Sequence, residues 1–149
     1  MPFVLRPASE ADQNLIAHLE EVCMRDYATA LWGQWLPQPA DDFLADRHRI
    51  IVSGNVNAGC IETIIRADHL WLSKLYLLPS HQSRGLGAEV LREIIVEAGT
   101  LGLPLRLSVL TTNPAQAFYR REGLNVRTQD QERITFEVPH SGPVVTKQL

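Results

Sequence analysis

The nine residues Leu70-Trp71-Leu72-Ser73-Lys74-Leu75-Tyr76-Leu77-Leu78 are apolar on both alternating faces, and Pro79 ends them. A strand of this kind is unsuited to a solvated sheet face; it needs a covering layer on each side and a central place in a sheet. The period then changes. Leu86, Val90, Leu91, Ile94, Ile95 and Ala98 form one helical stripe, with Glu89, Arg92, Glu93 and Glu97 mostly opposite. Gly99 and Gly102 end that helix, and Pro104 to Leu110 reads as another strand. Strand 70–78, helix 85–98 and strand 104–110 therefore make a βαβ unit, in which a parallel pair is expected.

The rest of the chain is arranged around this unit. Phe3-Val4-Leu5, ended by Pro7, reads as a first strand. Ser9-Glu10-Ala11-Asp12 has capping-box spacing, and Leu15, Ile16, Leu19, Val22 and Cys23 recur at helical period, which predicts a helix from about 10 to 25. Gly33, Pro37 and Pro39 break the stretch 26–40, and a short helix is predicted over Asp41–Arg47. His48–Val52 and Gly59–Ile65 precede strand 70–78 as an antiparallel meander. Asn113-Pro114 is a helix start, with Asn as N-cap and Pro at the first helical position, and Gly123 is a stop. In the last strand, Glu132–Val138, residues Ile134, Phe136 and Val138 face inward. The expectation is one α+β (α/β mixed) domain over residues 1–138, with a mostly antiparallel sheet and one parallel pair, followed by a tail over 139–149 without period.

Composition narrows the function classes. A chain of 149 residues can bury roughly 70% of its unfolded surface, enough for a core without staples. The net charge of −3 gives no basic footprint for nucleic acid. The N-terminus Met1-Pro2-Phe3-Val4-Leu5-Arg6 lacks a secretory pattern and no run approaches a membrane span, so the expectation is a cytoplasmic protein with no membrane partner. Cys23 and Cys60 form no C-x-x-C and read as reduced thiols. The five histidines show no ligand spacing, so no metal is expected.

The chemistry-bearing stretch is Gln82-Ser83-Arg84-Gly85-Leu86-Gly87-Ala88, at the junction of the buried strand and the amphipathic helix. Free backbone N–H groups and the positive end of the helix dipole coincide there, which suits an anion. The glycines admit close approach, and Arg84 adds a charge-assisted donor. On these residues alone, an ordinary turn whose glycines serve geometry remains the competing reading.

Tyr76-Leu77-Leu78-Pro79 followed by Gln82-Ser83-Arg84-Gly85-Leu86-Gly87 resembles the acetyl-CoA motif Q/R-x-x-G-x-G/A of the GNAT superfamily of N-acetyltransferases. Asn113-Pro114-Ala115-Gln116-Ala117-Phe118-Tyr119, continuing to Gly123-Leu124, is similar to the family's second signature, and Leu5-Arg6-Pro7-Ala8 with Ala11-Asp12 to its N-terminus. The resemblance spans roughly residues 3 to 138. It implies a GNAT-like domain in which the parallel strands splay apart and acetyl-CoA is the co-substrate, without a metal. It further implies that the pyrophosphate lies on the turn Gln82 to Ala88, that the pantetheine pairs with Leu75, Tyr76 and Leu77, and that Asn113 and Phe118 lie beside the cofactor. A backbone N–H near Leu75 would face the thioester carbonyl, and Tyr119 matches the family tyrosine that protonates sulfur, although here it follows the Asn by six positions. Its competing role is packing beside Phe118.

The base and the acceptor are less visible. Glu62 is an acid in an apolar run, read either as a functional carboxylate or as one on the solvent face near Arg66. Glu20, Glu21, Tyr27, Trp32 and Trp35 are candidate acceptor lining, with core packing of the tryptophans as the alternative. His81 reads as a phosphate contact or a solvated turn residue, and Arg120 and Arg121 as phosphate-facing or solvated. The expected activity is acetyl-CoA-dependent N-acetyl transfer to the amine of a small molecule or a peptide. The alternatives are a non-catalytic acyl-CoA sensor or partner module of the same fold, and a nucleotide-binding regulator. A homodimer is compatible with an exposed strand edge.

Overall fold

The computed structural model describes residues 2–139. Along the chain run β1 (Val4–Pro7), α1 (Gln13–Trp32), β2 (His48–Ser53), β3 (Val56–Ile65), β4 (Leu70–Leu77), α2 (Leu86–Leu101), β5 (Leu105–Leu110), α3 (Ala115–Arg121), β6 (Asn125–Gln129) and β7 (Arg133–Val138). They form one sheet in the order β1-β2-β3-β4-β5-β7-β6. Strand β4 is its fourth and central member, and β4 and β5 form the expected parallel pair. The other neighbours are antiparallel.

Burial explains β4's position. On one face of the sheet Leu70, Leu72 and Leu77 pack with Leu86, Val90, Leu91 and Ile94 of α2 and with Phe136 of β7. On the other, Ile16 and Leu19 of α1 close over Ile50 and Cys60. The side chains of β4 change parity between the two layers. Its pairing with β3 shifts between Glu62↔Lys74 and Thr63↔Leu72, so Ser73 is an extra, bulged residue. Before the bulge Leu70 and Leu72 face α2; after it Leu75 and Leu77 do, and Tyr76 faces α1.

Three sequence expectations are corrected. Helix α1 does not stop near 25 but runs to Trp32, because Asp26 to Trp32 contain no breaker; the helix ends at Gly33, whose φ of 80° lets its N–H reach the Thr29 carbonyl at 2.8 Å. Asp41–Arg47 is not an α-helix but two single 3-10 turns, Ala40–Asp42 and Ala45–Arg47. Phe43 and Leu44 between them are extended, and the Phe43 ring packs 4.9 Å from that of His48. Strand β6 is additional to the expected elements, since every one of its residues is exposed and leaves no alternating apolar signal.

The expected cap at Asp12 is present in a wider form. Its carboxylate accepts the Ser9 N–H at 2.9 Å and a two-pronged contact from Arg6 at 2.8 and 3.0 Å, and the Arg6 guanidinium holds the carboxyl below its usual range. These bonds tie β1 to the entrance of α1. No helix among the described residues is long and apolar enough to cross a membrane. Residues 140–149, which contain most of the tail, lie outside the described residues.

Gly59 of β3 lies where β4 approaches most closely. A Cβ there would run into the Tyr76 carbonyl and sit 2.8 Å from Leu77 Cδ2. Gly59→Ala is expected to destabilise the protein by about 1–3 kcal/mol, as overpacking does. A chemical denaturation series checks this, and an unchanged midpoint would show that β3 and β4 separate without cost.

Candidate functional site

The site begins where β4 and β5 part. Only Leu70↔Leu105 and Trp71↔Arg106 are paired; beyond them the parallel strands diverge. The direction of β4's free backbone groups follows from its other neighbour. The Leu78 N–H donates to the Ala58 carbonyl at 2.8 Å, so alternation turns the backbone of Tyr76 towards β3 and that of Leu75 and Leu77 towards the gap. The Leu77 carbonyl accepts Gln82 Nε2 at 2.9 Å and the Cys23 thiol at 3.3 Å, both from outside the sheet. Of the three β4 residues expected at a cofactor, Leu75 and Leu77 thus present their backbone to the gap, and Tyr76 contributes a ring beneath α1. Burial raises the Tyr76 phenol well above its ordinary value.

At the C-terminal end of this gap lies the glycine-containing turn. Ser83 and Gly85 have φ of 62° and 85°, and α2 begins at Leu86. Left-handed residues in close succession curl the backbone so that N–H groups converge, next to the unsatisfied N–H groups of a 16-residue helix. Gln82, Ser83, Arg84 and Gly85 are exposed, whereas Leu86 is fully buried and pins the helix start to the core. Gly87 faces Leu77 and Phe118: a Cβ there would lie 3.5 Å from Leu77 Cδ1 and 3.8 Å from Phe118 Cζ. Turn, strand end and α3 therefore meet at one corner. His81 contacts Ser80 at 3.0 Å.

Helix α3 supplies the far wall. Helix α3 begins at Ala115 with Pro114 at its N-cap position, one residue later than expected, and Asn113 Oδ1 still accepts the Ala115 N–H at 2.9 Å, which occupies the oxygen of that buried side chain. The Tyr119 ring is buried between Phe118 at 5.0 Å and Phe136 at 5.8 Å. Burial pushes its phenol up to about 12. Its hydroxyl has no hydrogen-bond partner among the described residues, a costly state for a buried polar group unless a ligand provides one. The Arg120 and Arg121 guanidinium groups lie over the Phe136 and Phe118 rings at 5.5 and 5.8 Å.

On the α1 side of β4 the structure assembles a polar cluster that the sequence does not announce. Lys74, buried just after the bulge, has Nζ 3.1 Å from Gln38 Oε1, 3.1 Å from His48 Nε2 and 3.9 Å from Glu62 Oε1. His48 Nδ1 is 2.7 Å from the Leu44 carbonyl, an acceptor only, so Nδ1 carries the proton and Nε2 accepts from Lys74. Burial lowers the His48 pKa and favours the neutral ring. Glu62 is buried beside Lys74 and His48, not on a solvent face near Arg66. Above them Glu20 and Lys74 line one pocket between α1 and the loop 37–43. Burial raises the Glu20 carboxyl, and no hydrogen bond or ion pair within the described residues engages it. The available sign of this cluster is Lys74 itself, a cation in an apolar run.

The other acceptor candidates lie further along α1. Tyr27 and Trp32 follow Glu20 by about 10 and 18 Å of helix axis. The Tyr27 carbonyl accepts Thr112 Oγ1 at 2.7 Å, joining α1 to the end of β5, and Trp32 is half-exposed under the Arg133 guanidinium at 5.6 Å. Glu21 pairs with Arg25 at the surface, and Trp35 is half-buried in the following loop.

Comparison with known proteins gives a consistent result. Residues 13–124 match the acetyltransferase (GNAT) family. No curated protein sequence matches the chain. Among solved structures, an acetyltransferase from Thermus thermophilus superposes with a TM-score of 0.72 at 24% identity, over 93% of this chain and 97% of that one. The ribosomal-protein-S18-alanine N-acetyltransferase of Escherichia coli gives 0.75 at 20% identity, over 99% of both chains. The PaiA N-acetyltransferase of Thermoplasma acidophilum, solved in complex with coenzyme A, gives 0.71 at 19% identity, over 93% and 99%.

The left-handed backbone at Gly85 supports a direct test of the turn. A β-branched residue cannot adopt this φ without strain. Gly85→Val is expected to weaken CoA affinity at least tenfold by calorimetry while costing about 1–3 kcal/mol of stability. Unchanged affinity would remove the turn from the binding site.

Proposed function

Because the chain belongs to the acetyltransferase (GNAT) family, we propose that it is an acetyl-CoA-dependent N-acetyltransferase that passes the acetyl group directly to an amine of a small molecule or peptide. The observation that carries this reading is the gap between β4 and β5, with the backbone of Leu75 and Leu77 facing it, together with the buried Tyr119 of α3, whose hydroxyl has no partner among the described residues. The residues present fit acetyl-CoA. The turn Gln82–Ala88 offers N–H groups and Arg84 to the phosphates, and the backbone of Leu75 with the N–H of Leu77 offers strand-like pairing to the amide-bearing arm. Phe118 and Gly87 flank the corner between them, and Asn113, its oxygen committed to the cap, has its amide N–H groups to offer.

Bound there, acetyl-CoA supplies an activated acetyl group as a thioester. The protein's own part is positional and electrostatic. An N–H at Leu75 lies on the gap side, where a carbonyl oxygen gaining negative charge needs a fixed donor. Tyr119, with its phenol pushed up to about 12, stays protonated throughout the physiological range and is always available as a donor to sulfur. Its proton is held more tightly than that of an ordinary thiol near 8.5, so its contribution is a hydrogen bond to the departing sulfur more than complete proton transfer. The acceptor reaches the same place from the α1 side, where Glu20 and Glu62 lie with Lys74. The amine of an alanine, named for the Escherichia coli neighbour, is one acceptor of the required kind.

The test is release of free CoA from acetyl-CoA in the presence of an amine panel, with the acetylated amine identified by mass. Tyr119→Phe is expected to lower kcat about tenfold to a hundredfold and to leave acetyl-CoA affinity close to that of the parent. A Tyr119→Phe variant with unaltered kcat would exclude the hydroxyl from the transfer step; CoA binding without turnover on any amine would favour an acyl-CoA sensor.

A further inference from the structure

The cluster under α1 carries more charge than it can balance internally. Its one buried cation is Lys74, which donates to His48 Nε2 and Gln38 Oε1 and has Glu62 Oε1 at 3.9 Å. His48 is neutral, with its Nδ1 proton on the Leu44 carbonyl. Two carboxylates, Glu62 and Glu20, therefore face a single positive charge. Glu62 stands within 4 Å of Lys74 and His48, and Glu20 is left without a bonded partner. Leaving a half-buried carboxylate unpaired is costly, and the cost is relieved when a cation arrives.

Glu20 lines the pocket together with Lys74, and Ile16, Ala17, Pro37 and Phe43 make the apolar part of its wall. Lys74, which lines the pocket, immediately precedes Leu75, whose backbone faces the gap, so one strand residue separates the pocket wall from the gap. The groups facing Glu20 are Lys74 and Tyr76 from β4 and Glu62 and Cys60 from β3. A ligand carboxylate would meet Glu20 at the pocket wall, with Glu62 behind Lys74 as a second like charge. A ligand ammonium would meet a free carboxylate.

We propose that Glu20 is the specificity-determining carboxylate of the acceptor pocket, and that it selects acceptors arriving as primary ammonium ions on an apolar substituent with no carboxylate beside the amine; the ammonium releases one proton to solvent before its nitrogen attacks the thioester carbonyl, and a second proton leaves the nitrogen for the thiolate as the C–S bond breaks. Lys74 is a positioning residue: through Gln38 it holds the loop wall against the sheet, and through Glu62 it keeps the second carboxylate engaged, so that Glu20 alone receives the ammonium. This assignment rests on the N-acetyltransferase reading and adds to it the class of amine.

The experiment compares two acceptor pairs that differ by a single carboxylate, phenethylamine with phenylalanine and pentylamine with norleucine, at pH 7 and with acetyl-CoA saturating. The native protein is expected to show kcat/KM at least tenfold higher for the carboxylate-free member of each pair. Glu20→Gln should raise KM for that member at least tenfold, narrow the ratio within the pair and leave CoA affinity unchanged; Glu20→Asp should recover part of the loss. Equal use of both members, or a Glu20→Gln variant with native KM and native ratio, overturns the proposal. CoA binding with none of the four amines acetylated overturns it too, while leaving the cofactor site intact. Failure of CoA to bind the native protein overturns the transferase reading and this assignment with it.

Discussion

The site depends on one displaced residue. Ser73 is an additional residue in β4 opposite the Glu62–Thr63 step of β3, and it does two things at once. It exchanges the faces of the strand, so that Leu75 and Leu77 continue the α2 core while Lys74 and Tyr76 turn to α1. It also lies just beyond the last β4–β5 pair, where the two parallel strands separate. Bulges bend a strand and increase its local twist, and here the bend coincides with the opening of a sheet whose remaining neighbours stay closed. Backbone groups that a regular ladder would have consumed are thereby left facing a gap.

What surrounds that gap is rigid by different means on its two sides. Towards α2 and α3 the wall is apolar: Leu77, Leu86, Phe118, Tyr119 and Phe136 belong to or pack on one cluster, and the Tyr119 hydroxyl is the one polar group on these side chains. Towards α1 the wall is electrostatic, built on a lysine that holds a histidine, a glutamine and a glutamate together beneath a helix. The division suits a reaction with two substrates. On the proposed function, the apolar corner next to the curled turn and helix N-terminus would take the phosphorylated cofactor, and the pocket carrying Glu20 would take the amine. The length of α1 joins the two, since Cys23 reaches Leu77 and Tyr27 reaches Thr112 across the open strands.

Much of the fold is legible in the sequence. The βαβ unit is readable because a run apolar on both faces and a stripe of period 3.6 leave few alternatives, and Gly85 and Asn113 mark a left-handed turn and a cap as their backbone chemistry requires. Less legible is the stretch 26–47, where the breakers have a shorter reach than their number suggests. Helix α1 continues to the first glycine, and Asp41–Arg47 is opened by an inward-turned Phe43. Strand β6 carries no signal because an edge strand with no buried face owes its shape to pairing alone.

The sequence by itself determined the βαβ unit, the central strand, and the position of the turn, because each is written within a few consecutive residues as period, cap or left-handed glycine. The tertiary structure alone decided that Glu62 is buried, that Lys74 is its neighbour and that Glu20 has no hydrogen-bond or ion-pair partner among the described residues. Gln38, His48, Glu62 and Lys74 come from a loop and three strands separated by up to 36 positions. Their meeting depends on a single bulged residue that reverses which side of the sheet Lys74 faces. A period-of-two reading of β4 carries no mark of that reversal, since a slip of one residue exchanges every side chain after it between the two layers.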